Sequence, residues 1–106
     1  MNKRLLFICT GNYYRSRFAE LFFNAQAAQL GLDWYADSRG IETSTHNIGP
    51  IYPFVLKKLE MLGIPITEKP RMPILLHESD LESADLIIAL NAVEHVPLIS
   101  RRFSNW

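Results

Sequence analysis

The stretch that decides the fold is Leu5-Leu6-Phe7-Ile8-Cys9-Thr10-Gly11-Asn12-Tyr13-Tyr14-Arg15-Ser16. Leu5 to Ile8 is a short apolar run without polar alternation, the pattern of a strand covered on both faces as in parallel sheets. The polar loop from Cys9 to Tyr14 then leads into Phe18, Ala19, Leu21, Phe22, Ala25, Ala28 and Leu30, which recur at three- and four-residue spacing and stop at Gly31. That spacing predicts a helix with a glycine end. A cysteine therefore sits where a buried strand hands over to a helix N-terminus.

Working outward, Trp34 to Ala36 predicts a second short strand ending in Asp37-Ser38-Arg39-Gly40, and residues 43–53 read as loop. Phe54, Leu56, Leu59 and Leu62, closed by Gly63, predict a second helix, and three prolines between Pro65 and Pro73 keep the next segment irregular. Ser79 with Glu82 reads as a capping box over a short helical turn. Leu86 to Leu90 is an apolar strand after Asp85, and a last helix is expected from Ala92 towards Arg102, where Arg101 and Arg102 favour its negative end. Alternating strands and helices predict an α/β fold with a small parallel sheet and right-handed crossovers. In such sheets ligands bind outside the carboxyl ends of strands.

The chain has 106 residues, 48% hydrophobic and 21% charged, which excludes disorder and fits one domain spanning residues 1–106. Eleven basic against eleven acidic residues give no global charge that would call for nucleic acid or a membrane surface. One cysteine excludes an internal disulfide and C-x-x-C metal or redox motifs, and no apolar run approaches a membrane span. A cytoplasmic location is expected. His46, His77 and His95 are scattered outside any ligand pattern, so neither a metal nor a cofactor is expected, and surface or half-buried structural roles are assigned to them. Phe18, Phe22, Phe23 and Phe54 read as core and helix-packing surface.

The chemistry concentrates in the first loop. Seven arginines among 106 residues put one at any given offset from Cys9 about once in fifteen times by chance, so spacing alone is weak. Its context carries more. A loop leaving a buried strand and opening a helix directs backbone N–H groups inward, and the helix's positive end adds to them. Gly11 and Asn12 tolerate the positive φ that such a nest needs. Arg15 has the planar fork to hold two phosphoryl oxygens, and those donors, the helix end and Ser16 favour a thiolate at Cys9. A lone cysteine at a strand end is more often a small buried hydrophobe; Gly-Asn inside the loop and Arg-Ser after it weigh against that here.

Ile8 to Ser16 resembles the phosphate-binding loop of the low-molecular-weight protein tyrosine phosphatases, usually hydrophobic-Cys-x-Gly-Asn-x-Cys-Arg-Ser-Pro. Asp37-Ser38-Arg39-Gly40 resembles that family's Asp-Ser-Ala-Gly, and Asp85 to Leu90 its Asp-Leu-Ile strand. The resemblance implies a three-layer sandwich with strand order 2-1-3 and a fourth strand missing or replaced. It implies Cys9 as nucleophile forming a cysteinyl-phosphate, Arg15 as phosphate clamp, and a phosphate- or sulfate-type anion held by residues Thr10, Gly11, Asn12, Tyr13, Tyr14, Arg15 and Ser16. Asn12, Ser16 and Ser38 would support loop and thiolate, with Tyr13 and His46 at the pocket rim. The substrate implied is a phosphorylated protein or small phosphomonoester. A catalytically silent phosphopeptide-binding module, and arsenate reduction with an external thiol, are the alternatives.

Three departures stand out. Tyr14 replaces a second cysteine, Arg17 replaces proline at the start of the helix, and the chain stops at Phe103-Ser104-Asn105-Trp106, before the family's acid-bearing loop and last helix. The expectation is weak activity for want of a general acid, a loss of typically 10²- to 10⁴-fold, Asp37 and Glu42 reading as turn or solvent residues rather than surrogates. The Leu86–Leu90 strand is expected to lie at a sheet edge covered by another chain, a second copy included, or by a further segment.

Overall fold

The computed structural model describes residues 3–44 and 46–103, without the side chains at 92–94, 96 and 98. The order is β1 (Lys3–Cys9), α1 (Arg15–Leu30), β2 (Trp34–Gly40), α2 (Pro53–Met61), α3 (Glu78–Ser83), β3 (Leu86–Ala89) and α4 (Ala92–Arg102). The three strands form a parallel sheet in the order β2-β1-β3. Cys9 pairs with Gly40 at the carboxyl end of that sheet, and Leu5 to Ile8 pair with Leu86 to Ala89 on the other side.

The central strand explains the continuous apolar run. Leu5 and Phe7 face α1, packing with Ala36, Ala19, Phe23 and Trp34. Leu6 and Ile8 face the other way, against Ile41, Leu76, Leu81 and Ile99 from the α3 and α4 side. Helices on both faces of one sheet make the α/β sandwich the sequence predicts. A separate cluster of Ile51, Val55 and Leu59 holds α2 with help from Phe18, Leu21 and Ile66. Among the described residues no helix is long and apolar enough to cross a membrane.

Several boundaries move, for physical reasons. β2 runs to Gly40 although Asp37 and Arg39 break its apolar pattern, because their charges meet at the sheet edge. Asp37 pairs with Arg4 at 3.1 Å and with Arg39 at 2.6 Å, and Asp80 receives both arginines at 3.2 and 3.1 Å. α1 begins at Arg15 and ends as predicted at Gly31, whose φ of 67° is the left-handed cap that glycine adopts without strain. The capping box over α3 is not Ser79 with Glu82: the Asp80 carboxylate accepts the His77 N–H at 3.0 Å, two residues earlier. Arg102 does more than close α4; its guanidinium donates to the carbonyls of Ile41 and Leu76 at 2.7 and 3.0 Å. Residues 104–106, including Trp106, lie outside the described residues.

Candidate active site

Cys9 is 3% exposed, yet its sulfur is not surrounded by hydrocarbon alone. Ser16 Oγ lies 2.8 Å from Cys9 Sγ, and the Asn12 backbone N–H donates to the same sulfur at 3.2 Å. The loop thus curls back over its first residue and presents both a hydroxyl and an amide to the sulfur. Ser16 Oγ also accepts from Asn12 Nδ2 at 2.8 Å, so the sulfur and the hydroxyl beside it are both tied to Asn12.

The curl depends on Asn12, the single non-glycine residue with positive φ (51°) among those described. Gly11, which the sequence also suggests for that role, is not in the left-handed region; a Cβ there would meet nothing within 4 Å, so it borders open space over the loop. Asn12 is fully buried and uses its whole amide. Its Nδ2 donates to Ser16 Oγ and Ser38 Oγ, both at 2.8 Å. Its Oδ1 accepts from the Ile74 N–H at 2.9 Å and from Arg71 Nη1 at 3.1 Å. Left-handed backbone suits asparagine, and four hydrogen bonds fill the capacity of one side-chain amide.

Ser38 joins Asn12 to Glu20 and Arg71. Its hydroxyl donates to Glu20 Oε1 at 2.5 Å and accepts from Arg71 Nη2 at 3.0 Å; Arg71 also pairs with Glu20 at 2.8 Å. Glu20 and Arg71 were not legible as site residues. Arg71 lies in the proline-rich segment where no local pattern marks it, and Glu20 looks like any polar residue on a helix.

Gly40 supplies what no side chain could. A Cβ there would stand 2.9 Å from Asn12 Cβ, Asn12 N and Gly11 C, so strand and loop touch backbone to backbone. Gly40→Ala is expected to push the loop off the strand, at a cost of about 1–3 kcal/mol. Thermal unfolding several degrees lower together with loss of vanadate binding is the expected result; an unchanged melting curve would show that the contact is dispensable.

Arg17, at the position where the resembled motif has proline, is 2% exposed rather than extending as surface charge. It donates to the carbonyls of Pro50 and Arg71 at 3.0 and 2.8 Å, tying α1 to two flanking segments. Burial, with Arg71 beside it, pushes its guanidinium down to about 10, leaving it charged at neutral pH. His95 is likewise fully buried, contrary to the surface or half-buried role expected of it. Its Nδ1 lies 3.1 Å from the Asn91 N–H that donates to it, and Nε2 lies 3.3 Å from Thr10 Oγ1. Accepting at Nδ1 places the imidazole proton on Nε2, where it is donated to the Thr10 hydroxyl. α4 is thereby fastened to the loop one residue from Cys9.

Tyr13 and His46 lie at the periphery. Tyr13 OH donates to the Ile48 carbonyl at 2.6 Å, bringing the loop against the 46–52 segment, and His46 is exposed. Tyr14 is 46% exposed, and Arg15, the first residue of α1, is also exposed. Both line an open cleft with Phe18, Phe54 and Lys58. Phe54, expected to pack inside, is 47% exposed. Phe18 and Phe23 do pack against the clusters of buried side chains. Among the described residues no three His, Cys, Asp or Glu side chains gather as metal ligands.

Comparison with known proteins agrees with this geometry. An arsenate reductase from Staphylococcus epidermidis is 37% identical over 91 residues, covering 86% of this chain and 57% of that protein. A protein-arginine-phosphatase from Bacillus subtilis is 30% identical over 96% of this chain and 64% of its own length. The crystal structure of a low molecular weight protein tyrosine phosphatase from T. tengcongensis superposes with a TM-score of 0.80 at 36% identity, covering 94% of this chain and 66% of that one. The chain therefore spans 57 to 66% of the length of these relatives. The family model for low molecular weight phosphotyrosine protein phosphatase matches residues 4–104. With Cys9 caged by Asn12 and Ser16 at the carboxyl end of the central strand, the chain belongs to the low molecular weight phosphotyrosine protein phosphatase family.

Proposed function

We propose that the chain is a cysteine-dependent phosphatase of phosphotyrosine-type monoesters, with Cys9 as nucleophile and Arg15 as phosphate clamp. The observation that carries this reading is the sulfur of Cys9 held by the Asn12 amide and Ser16 hydroxyl at the mouth of α1. Cys9 Sγ attacks phosphorus, the bond to the leaving oxygen breaks, and the cysteinyl-phosphate forms within the amide nest. Water then attacks phosphorus, the S–P bond breaks, and the thiolate returns with release of inorganic phosphate. Arg15, at the start of α1, swings its planar fork onto the phosphoryl oxygens and holds them most tightly as charge spreads in the transition state. A thiolate nucleophile requires a reducing compartment, which suits the cytoplasm.

Of the carboxylates near the loop, Asp37 is a poor proton donor. Hydrogen bonds and charges from Arg39 and Arg4 hold the Asp37 carboxyl below the usual carboxylate range despite its burial, so it is ionised at neutral pH. Glu20 is engaged by Ser38 and Arg71, and Glu42 is exposed with its backbone N–H on the Thr10 carbonyl. A polypeptide of these 106 residues is therefore expected to cleave aryl phosphates with acidic leaving groups and to slow steeply as the leaving-group pKa rises. A series of substituted phenyl phosphates measures the slope; a flat series would show that a general acid is at work. A rate at the buffer background for all of them would favour a silent phosphate-binding module.

Phosphoarginine is the second substrate reading, favoured by the relative named as a protein-arginine-phosphatase. Running phosphotyrosine and phosphoarginine peptides side by side separates the two. Arsenate reduction, suggested by the name of another relative, would need a thiol from a second molecule, since Cys9 is the one cysteine of these 106 residues.

Among the described residues β3 pairs with β1 on one side and with no strand on the other, and Leu86 and Ile88 on it are exposed. An apolar cleft of about 250 Å³ between Leu5, Phe23, Leu32, Trp34 and Leu86 continues that surface. We read this edge as the contact through which two copies of the 106-residue chain associate, since an unpaired apolar edge invites pairing. Sedimentation is expected to give a dimer whose dissociation follows Leu86→Lys; a folded monomer at high concentration would remove the proposal.

A further inference from the structure

Beside the Cys9 loop, aromatic rings that helical patterning would bury stand partly in the open. The cleft lined by Tyr14, Arg15, Phe18, Phe54 and Lys58 holds about 610 Å³, within the roughly 300–1,000 Å³ of ligand-binding clefts. Its rings are braced from behind: Tyr52 touches Tyr14 and Phe54 at centroid distances of 4.9 and 6.3 Å, and reaches Tyr13 at 6.0 Å. Phe54 and Lys58 lie one helical turn apart on α2, so ring and ammonium share a face.

Charge in the cleft is of one sign. Arg15 and Lys58 are its basic lining residues, and among the described residues no carboxylate lines it. It is also continuous with the candidate active site, because Tyr14 and Arg15 belong to both the loop and the cleft. Open rings flanked by cations suit a segment that brings apolar surface and negative charge together.

We propose that this cleft docks the residues flanking the phosphorylated side chain of a polypeptide substrate, selecting an apolar or aromatic side chain accompanied by Asp or Glu. The proposal rests on the phosphatase reading for the neighbouring loop. A phosphopeptide entering the loop mouth lays its flanking residues along α1 and α2, where Phe54 and Phe18 take the apolar side chain and Lys58 the carboxylate. An anionic membrane is the less suitable occupant, since the chain's formal net charge is zero and two cations give little electrostatic adhesion.

The test compares two phosphotyrosine peptides on the 106-residue chain, one flanked by Phe and Glu and one by Gly and Lys, with p-nitrophenyl phosphate as a substrate too small to reach the cleft. The acidic aromatic peptide is expected to show the lower KM. Lys58→Glu and Phe54→Ala are each expected to raise that KM by about three- to tenfold, leaving the other peptide and p-nitrophenyl phosphate unchanged. Equal KM values for the two peptides in the wild type, or equal losses on all three substrates in the variants, would overturn it. If p-nitrophenyl phosphate is not turned over at all, the phosphatase reading fails separately. Fluorescence anisotropy of the same labelled peptides on Cys9→Ser then reads the cleft alone, and identical affinities there overturn the docking proposal. Vesicles containing phosphatidylserine that bind the wild type and not Lys58→Glu, with no discrimination between peptides, would assign the cleft to a membrane instead.

Discussion

Cys9→Ser is expected to abolish turnover of p-nitrophenyl phosphate, by about 10⁴-fold or more in kcat, while leaving vanadate or phosphate bound. The two halves of this expectation come from different atoms. A serine hydroxyl is a far weaker nucleophile than a thiolate unless a general base activates it, and the hydroxyl nearest this position, Ser16 Oγ, already shares its hydrogen bonds with Asn12. The loop backbone and Arg15 are untouched, so the anion binding proposed for them is expected to persist. Stopped-flow measurement of the aryl ester should show a burst of phenolate in the wild type and none in the variant. Turnover that survives the substitution would remove Cys9 from the mechanism, whereas loss of vanadate binding together with turnover would point to a collapsed loop.

The second large effect is expected at Asn12. Replacement by alanine leaves the Ile74 N–H and an Arg71 donor without the acceptor they use, and it takes two donors from Ser16 and Ser38. Stranding these two part-buried donors costs up to about 1–3 kcal/mol each. A non-glycine residue other than Asn or Asp in left-handed backbone adds roughly 1–2 kcal/mol. The expected total, about 3–8 kcal/mol, is a large part of a typical domain's stability. Asn12→Gly isolates the backbone share, since glycine adopts positive φ freely but makes none of the four bonds. Chemical denaturation should therefore rank wild type above Asn12→Gly above Asn12→Ala, with the two variants separated by about 1–2 kcal/mol. Equal stability of the two variants would show that the hydrogen bonds alone matter; stability equal to wild type in either would show that the network contributes little.

Position 17 illustrates how far a linear motif can be read. At sequence level Arg17 is a missing helix-start proline and an extra positive charge. In the fold it is a buried strut on the carbonyls of Pro50 and Arg71, and Arg71 in turn reaches Asn12, Ser38 and Glu20. The loop that proline would preorganise through its fixed φ is instead held by a chain of guanidinium contacts across more than fifty residues of sequence.

What the linear order of residues determined by itself was local. An apolar run with no alternation reads as a strand covered on both faces, and Leu5–Ile8 is one, at the sheet centre, whereas the similar run at Leu86–Ala89 lies at the edge with Leu86 and Ile88 exposed. Cys-x₅-Arg between that strand and a helix start marked the candidate site, and Asp37-Ser38-Arg39-Gly40 and Asp85–Leu90 placed the neighbouring strands. Only the tertiary structure decided which distant side chains reach the loop. Glu20, Arg71 and His95 carry no periodic or motif signal, because a hydrogen bond between Arg71 and Asn12 depends on chain crossing and not on spacing. Gly40 needed the folded contact to show why a methyl group is forbidden there. The exposure of Phe54 was illegible for the same reason: hydrophobicity states that a ring gains by burial, but only the neighbours that arrive in three dimensions determine whether it is buried.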